Sequence, residues 1–146
     1  MIKKIALVTG GFDPLHSGHI KYFESARKLA DHLVVGINSN EWLARKKGNY
    51  FLSHKERVVI LNALSLVDET ISFDDSDGTA VEAINGLKVK HPGSTIIFCN
   101  GGDRDIENIP EYEVFSQDKQ VIFEFGVGGV EKLNSSSRIL EKWSQK

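Results

Sequence analysis

The chain has few of the residues that staple, kink or anchor a protein. Its 146 residues include one cysteine, Cys99, one methionine and three prolines. A lone cysteine excludes any disulfide within the chain, as expected of a cytosolic protein. No apolar stretch approaches the ~20 residues of a membrane-spanning helix. The opening apolar run, residues 5–8, is too short for the core of a secretion signal. The expectation is a soluble, cytoplasmic protein with no membrane partner. A basic excess is missing too: 18 Lys and Arg stand against 20 Asp and Glu, a formal net charge of −2. Nucleic-acid binders usually carry a basic face and a high isoelectric point, so no nucleic-acid partner is expected. The clusters Arg45, Lys46, Lys47 and Lys88, Lys90 are too short to reverse that.

Several common site motifs are also absent. There is no Gly-x-x-x-x-Gly-Lys-Ser/Thr loop and no Gly-x-Gly-x-x-Gly fingerprint. His16 and His19 stand three apart, but no His-Glu-x-x-His accompanies them, so no metal ligand is assigned. The acidic stretch FDDSDG, residues 73–78, reads as a solvated turn. No repeat, low-complexity tract or linker divides the chain, which reads as one domain over residues 1–146.

What is present is alternation. Residues 4–11, KIALVTGG, read as a buried strand ending in a glycine turn, and residues 16–31 as a helix capped by Ser17. Residues 32–38 read as a second strand. The polar segment 39–50, SNEWLARKKGNY, shows no clear period. Residues 53–68 read as a helix with Ser53 and Glu56 spaced as a capping box. A short strand at 69–73, a helix at 78–91, a strand at 94–103, a short helix at 109–117, a strand at 120–126 and a closing helix from 135 follow. Alternation at this spacing gives βαβ units and a five-stranded parallel sheet, an α/β fold. Ligands of such sheets bind beyond the carboxyl ends of the strands, where the strand order reverses. Two strands end in glycine pairs, Gly10 with Gly11 and Gly101 with Gly102. As neighbours, they would face one crevice.

In TGGFDPLHSGHI, residues 9–20, a glycine turn leads into a helix start carrying His16 and His19. The amide groups and positive end of a helix start favour an anion, imidazoles can donate to phosphate oxygens, and Gly18 leaves room. A plain polar helix start is the alternative. The stretch GGFDPLHSGH resembles the G-x-F-D-P-x-H-x-G-H signature of the HIGH-type nucleotidylyltransferase superfamily, its cytidylyltransferase-like group. HKERVVILNALSLVDETI, NGGDR and NSSSRI resemble further motifs of that family in the same order, so the similarity covers nearly the whole chain. Two departures stand out. Asn134 replaces the isoleucine before the serines, and Val130 and Glu131 occupy the places of an Arg-Thr pair.

The resemblance implies a Rossmann-like three-layer sandwich. It also implies an enzyme that transfers a nucleoside monophosphate from a nucleoside triphosphate to a small phosphorylated alcohol or sugar, releasing pyrophosphate. CTP is expected over ATP, with an ATP-dependent adenylyltransferase on a sugar phosphate as the alternative. A nucleotide-binding regulator without turnover and a tRNA-charging domain are further alternatives. By the resemblance, His16, His19, Lys46 and Ser136 are catalytic candidates. Gly10, Gly11, Phe12, Gly102, Asp103, Ser135, Ser137 and Arg138 join His16, His19 and Ser136 in binding the nucleotide. Asp13, Trp42, Lys47 and Arg57 are candidates on the acceptor side, Asp13 and Arg57 also for holding loops. Lys46 and Lys47 compete for one phosphate contact, and residues 45–50 read as a lid. Mg²⁺ is expected with the triphosphate, held mostly by phosphate oxygens and water. Relatives are often homodimers, which implies the same here.

Overall fold

The computed structural model describes residues 2–102, 106–129 and 135–145. Among them run, in chain order, β1 (Lys4–Gly10), α1 (Ser17–Arg27), β2 (His32–Ile37), α2 (Asn40–Lys47), α3 (His54–Asn62) and β3 (Glu69–Ser72). Then follow α4 (Val81–Lys90), β4 (Thr95–Cys99), a 3₁₀ turn (Ile106–Asn108), α5 (Pro110–Phe115), β5 (Val121–Glu124) and α6 (Ser136–Ser144). The five strands form one sheet in the order β3-β2-β1-β4-β5, and every pair is parallel. This is the α/β, Rossmann-like architecture expected from the alternation.

Strand periodicity builds the layers. Along β1, Ile5 and Leu7 face one side, and Ala6 and Val8 the other, all four fully buried. The first side packs against Ala83, Ile84 and Leu87 of α4 and Phe115 of α5. The second packs against Phe23 and Ala26 of α1 and Leu61 of α3. Helices therefore cover both faces, and near-continuous apolar runs are what strands buried on two faces require. β1 pairs with β2 on one side and β4 on the other. The order reverses there, so the carboxyl ends of β1 and β4 open onto the switch-point crevice.

Three readings need correction. The polar segment without a period is helix α2. Ser39 caps it by accepting from Trp42 N at 3.0 Å, and Gly48 ends it in the left-handed region at φ 88°. Residues 45–47 of the expected lid thus belong to a capped helix. The FDDSDG turn is not wholly solvated. The Asp75 carboxylate is buried and accepts from Asn38 Nδ2 (2.9 Å), Ser39 N (2.8 Å) and Ser39 Oγ (2.7 Å), fixing the α2 cap. Lastly, α1 is capped by His16, not Ser17.

Candidate active site

The β1–α1 turn is shaped by close packing. A Cβ on Gly11 would stand 2.7 Å from Leu43 Cδ2, so any larger residue here would make the Leu43 side chain of α2 shift. Phe12 takes φ 54°, unusual for a residue with a side chain. Its ring is buried edge-on against Phe23 at 5.2 Å and His19 at 5.0 Å, and that packing holds the conformation. The chain then reaches α1 with His16 and His19 stacked, ring centroids 3.8 Å apart.

Both imidazoles are held by backbone amides. Gly18 N donates to His16 Nδ1 at 3.1 Å, and His16 N donates to His19 Nδ1 at 3.2 Å. A ring nitrogen that accepts carries no proton, so the neutral form of each ring bears its proton on Nε2. His19 is neutral at ordinary pH. Burial, with help from His16 and Lys47, lowers its pKa from 6.5 to about 3. The turn therefore presents two Nε2–H donors of fixed tautomer.

These rings line a cleft of about 610 Å³ at the carboxyl ends of the strands, a size suited to a small ligand. Gly10, Gly11, Phe12, Trp42, Lys46, Lys47, Gly102, Ser135, Ser136 and Ser137 line it too. Lys46 Nζ lies 4.6 Å from the centroid of the Trp42 ring. Lys21 of α1 adds a third lysine that the sequence reading missed. Glu111 is the one carboxylate lining the cleft among the described residues. It is buried at 4% exposure. Its Oε2 accepts from Ala80 N at 2.7 Å, ahead of α4, while Oε1 has no hydrogen-bond partner. Nothing in the local sequence marked it, beyond its place in the first turn of α5.

Other expected site residues do different work. Arg57 is 1% exposed. It donates to Leu52 O (3.0 Å), Gly11 O (3.0 Å), Asn38 O (2.7 Å) and Asn40 Oδ1 (3.0 Å). Asp13, also buried, accepts from Phe51 N (2.6 Å) and Leu52 N (2.7 Å). Of the two parts expected for each, the structure shows the loop tie: Asp13 accepts from two backbone amides, and Arg57 donates to three carbonyls and to the Asn40 side chain. Ser136 lines the cleft, but its hydroxyl donates to Pro14 O at 2.8 Å, fastening α6 to the histidine turn. In this conformation that proton is given to the backbone of the histidine turn. Ser135 caps α6 by accepting from Arg138 N at 3.0 Å, and the exposed Arg138 is not in the cleft lining. Asp103 lies outside the described residues, as do Val130, Glu131 and Asn134. Cys99, at the end of β4, is buried and its thiol pKa is pushed up to about 12, which rules it out as a thiolate nucleophile. No described helix is long and apolar enough to cross a membrane.

A switch-point cleft carrying paired imidazole donors and lysines defines the class of the nucleotidyltransferases. The chain belongs to the cytidylyltransferase-like family, whose model matches residues 7–139. Similar relatives include a "Bifunctional protein HldE" of Pelobacter propionicus, 36% identical over 145 residues, 97% of this chain and 28% of that protein. One from Campylobacter jejuni is 34% identical over 146 residues, 99% of this chain and again 28% of that protein. The chain thus spans under a third of the length of these relatives. Among solved structures, a putative nicotinate-nucleotide adenylyltransferase from Vibrio parahaemolyticus shares the fold. Its TM-score is 0.69 at 16% identity, over 99% of this chain and 88% of that one. A lipopolysaccharide core biosynthesis protein from Thermoplasma volcanium gives 0.61 at 24%, over 86% and 94%.

Proposed function

We propose that the chain transfers an adenylyl group from ATP to the phosphate of a sugar phosphate, releasing pyrophosphate and forming an ADP-sugar. The observation that carries transfer chemistry is the pair of Nε2–H donors, fixed by backbone amides, beside Lys21, Lys46 and Lys47 in one cleft. An acceptor phosphate oxygen attacks the α-phosphorus, and the bond from that phosphorus to the bridging β-oxygen breaks. The nucleophile is already an anion and needs no base. The protein's work is to align two polyanions and neutralise charge developing on the α-phosphate. Imidazole Nε2–H groups suit this, because they donate hydrogen bonds from a preorganised position. The lysines suit the β- and γ-phosphates.

The choice of ATP over the CTP expected from sequence rests on the relatives. Those named HldE support an adenylyltransferase acting on a heptose phosphate. They do not support a preference for CTP. Mg²⁺ fits as an ion held by the triphosphate. Asp13 and Asp75 are committed to amide donors, which leaves Glu111 as the cleft's described carboxylate. Bound with the triphosphate, Mg²⁺ would neutralise phosphate charge. On the acceptor side, Glu111 lines the cleft, and rotation that brings its buried, unpartnered Oε1 to the surface would offer an acceptor for a sugar hydroxyl. The proposed assembly is a homodimer, by family analogy, to be checked by light scattering.

The deciding experiment measures pyrophosphate release with ATP or CTP against sugar phosphates and glycerol phosphate. ATP with a sugar phosphate should turn over. Turnover with CTP alone would move the enzyme to the cytidylyltransferases. Tight nucleotide binding without release under any pairing would favour a regulator.

A further inference from the structure

At the opposite end of the sheet from the cleft, three side chains from three elements converge. β2 begins at His32, β3 begins at Glu69, and His91 follows the last turn of α4. Strand alternation aims the first two at the third. Val34, two residues after His32, pairs with Glu69, and Val34 belongs to the core layer packed on α4. His32 Nε2 lies 3.0 Å from Glu69 Oε1, and His91 Nε2 lies 3.5 Å from the same oxygen. One ligand atom from each of the three residues lies within 4.8 Å of the other two. His91 Nε2 is buried and makes no hydrogen bond, a costly state for a polar atom. The other oxygen of Glu69 pairs with Lys90, whose exposed side chain can turn to solvent.

We propose that His32 Nε2, His91 Nε2 and Glu69 Oε1 bind a divalent transition-metal ion, Zn²⁺ above all. Two imidazoles and one carboxylate are a donor set that suits zinc, with water in the fourth position. Ligand atoms about 2.0–2.1 Å from a tetrahedral zinc stand about 3.3 Å apart. Both contacts to Glu69 are already near that spacing, and side-chain rotation closes the third. The metal takes the Nε2 lone pair of His32, so the bound imidazole is the neutral tautomer with its proton on Nδ1. Asp68 Oδ2, 3.9 Å from His32 Nδ1, stands where a second carboxylate steadies a ligating imidazole. The ion would clamp the starts of β2 and β3 to the end of α4, far from the proposed chemistry. It would therefore stabilise the fold by linkage.

The test titrates the chelator-treated full chain with ZnCl₂ alone, read by calorimetry and by thermal unfolding. One equivalent should bind with a Kd below about 10 µM, and the Tm should rise. His91→Ala and Glu69→Gln, each checked for folding by circular dichroism, should weaken binding by at least ~100-fold, the upper end of what losing even an outer partner costs. The double variant His16→Ala/His19→Ala should still bind. Weaker binding by the wild-type chain, wild-type affinity in a folded ligand variant, or loss of binding only in the cleft variant would each overturn the site. Nitrogen chemical shifts of the wild-type chain decide the matter even if both ligand variants fail to fold. Zn²⁺ must move the Nε2 resonances of His32 and His91, and movement confined to His16 and His19 refutes the site.

Discussion

Beneath the cleft lie Asp13, Arg57 and Asp75; on its surface lie His16, His19, Lys46 and Lys47. Both groups are polar, and several members are near neighbours along the chain. The buried group has its polar atoms committed to backbone and to neighbouring side chains. The four donations of Arg57 join the turn at Gly11, the end of β2, the start of α2 and the loop before α3. Asp13 holds residues 51 and 52, and Asp75 holds the α2 cap. The histidines use Nδ1 for the same kind of tie but carry their proton on Nε2. A polar residue beside a site motif thus takes one of two parts, set by whether it is buried among the loops or lines the cleft.

The largest expected effect tests the buried group. Arg57→Leu removes a buried cation from beside Asp13 and Asp75 and orphans three carbonyls. Burial lowers the Arg57 pKa, and those two carboxylates oppose the shift. Removing one partner of a buried, hydrogen-bonded charge set typically costs about 3–5 kcal/mol, which urea unfolding would read. A stability loss under about 1 kcal/mol together with a raised acceptor KM would instead return Arg57 to the substrate.

The surface group should behave in the opposite way. His16→Ala and His19→Ala should each lower kcat by at least ~100-fold, about 2.7 kcal/mol of barrier, as for loss of one transition-state donor. Nucleotide affinity should stay within about tenfold. His16 also caps α1, so its variant should lose about 1 kcal/mol of stability. Near-normal turnover in both would end the catalytic assignment.

This division was only partly legible in the sequence. The strands and most helices followed from apolar periodicity, and the glycine pairs located the crevice because strand ends are local features. Helix α2 was missed because a polar helix has no apolar period, although Ser39 and Gly48 were its end signals. The burial of Arg57 could not be read, since its partners come from separate segments that meet only in the fold. The same holds for His32, Glu69 and His91, far apart in sequence and joined by register. Glu111 was hidden because its amide partner, Ala80, lies 31 residues away.

A smaller effect concerns pH. His19 has a folded pKa of about 3 against 6.5 for the ordinary group. Between those values the unfolded chain binds a proton that the folded chain refuses, so stability falls as pH drops below 6.5. The slope from this one group cannot exceed about 1.4 kcal/mol per pH unit. Denaturant midpoints measured from pH 7 to 5 should therefore fall less steeply in His19→Asn than in wild type. Equal slopes would place a proton on the folded imidazole.

The smallest expected effect is at Glu111, where the two parts meet in one side chain. Oε2 ties Ala80 N as the buried group does, and Oε1, buried behind the cleft wall, is left without a partner. Glu111→Gln keeps a carbonyl oxygen for Ala80 N, so stability should move by no more than about 0.5 kcal/mol. It replaces Oε1 by an amide donor, so a hydroxyl that donated there must reorient and accept. A sugar phosphate should lose a few-fold in KM, under about 1 kcal/mol, while the KM for ATP holds. Glu111→Ala removes the tie as well, and should add about 1 kcal/mol of instability at the start of α4. If Glu111→Gln changes the KM for ATP and leaves the acceptor's unchanged, this wall of the cleft faces the nucleotide, and the acceptor must enter from the side of Trp42.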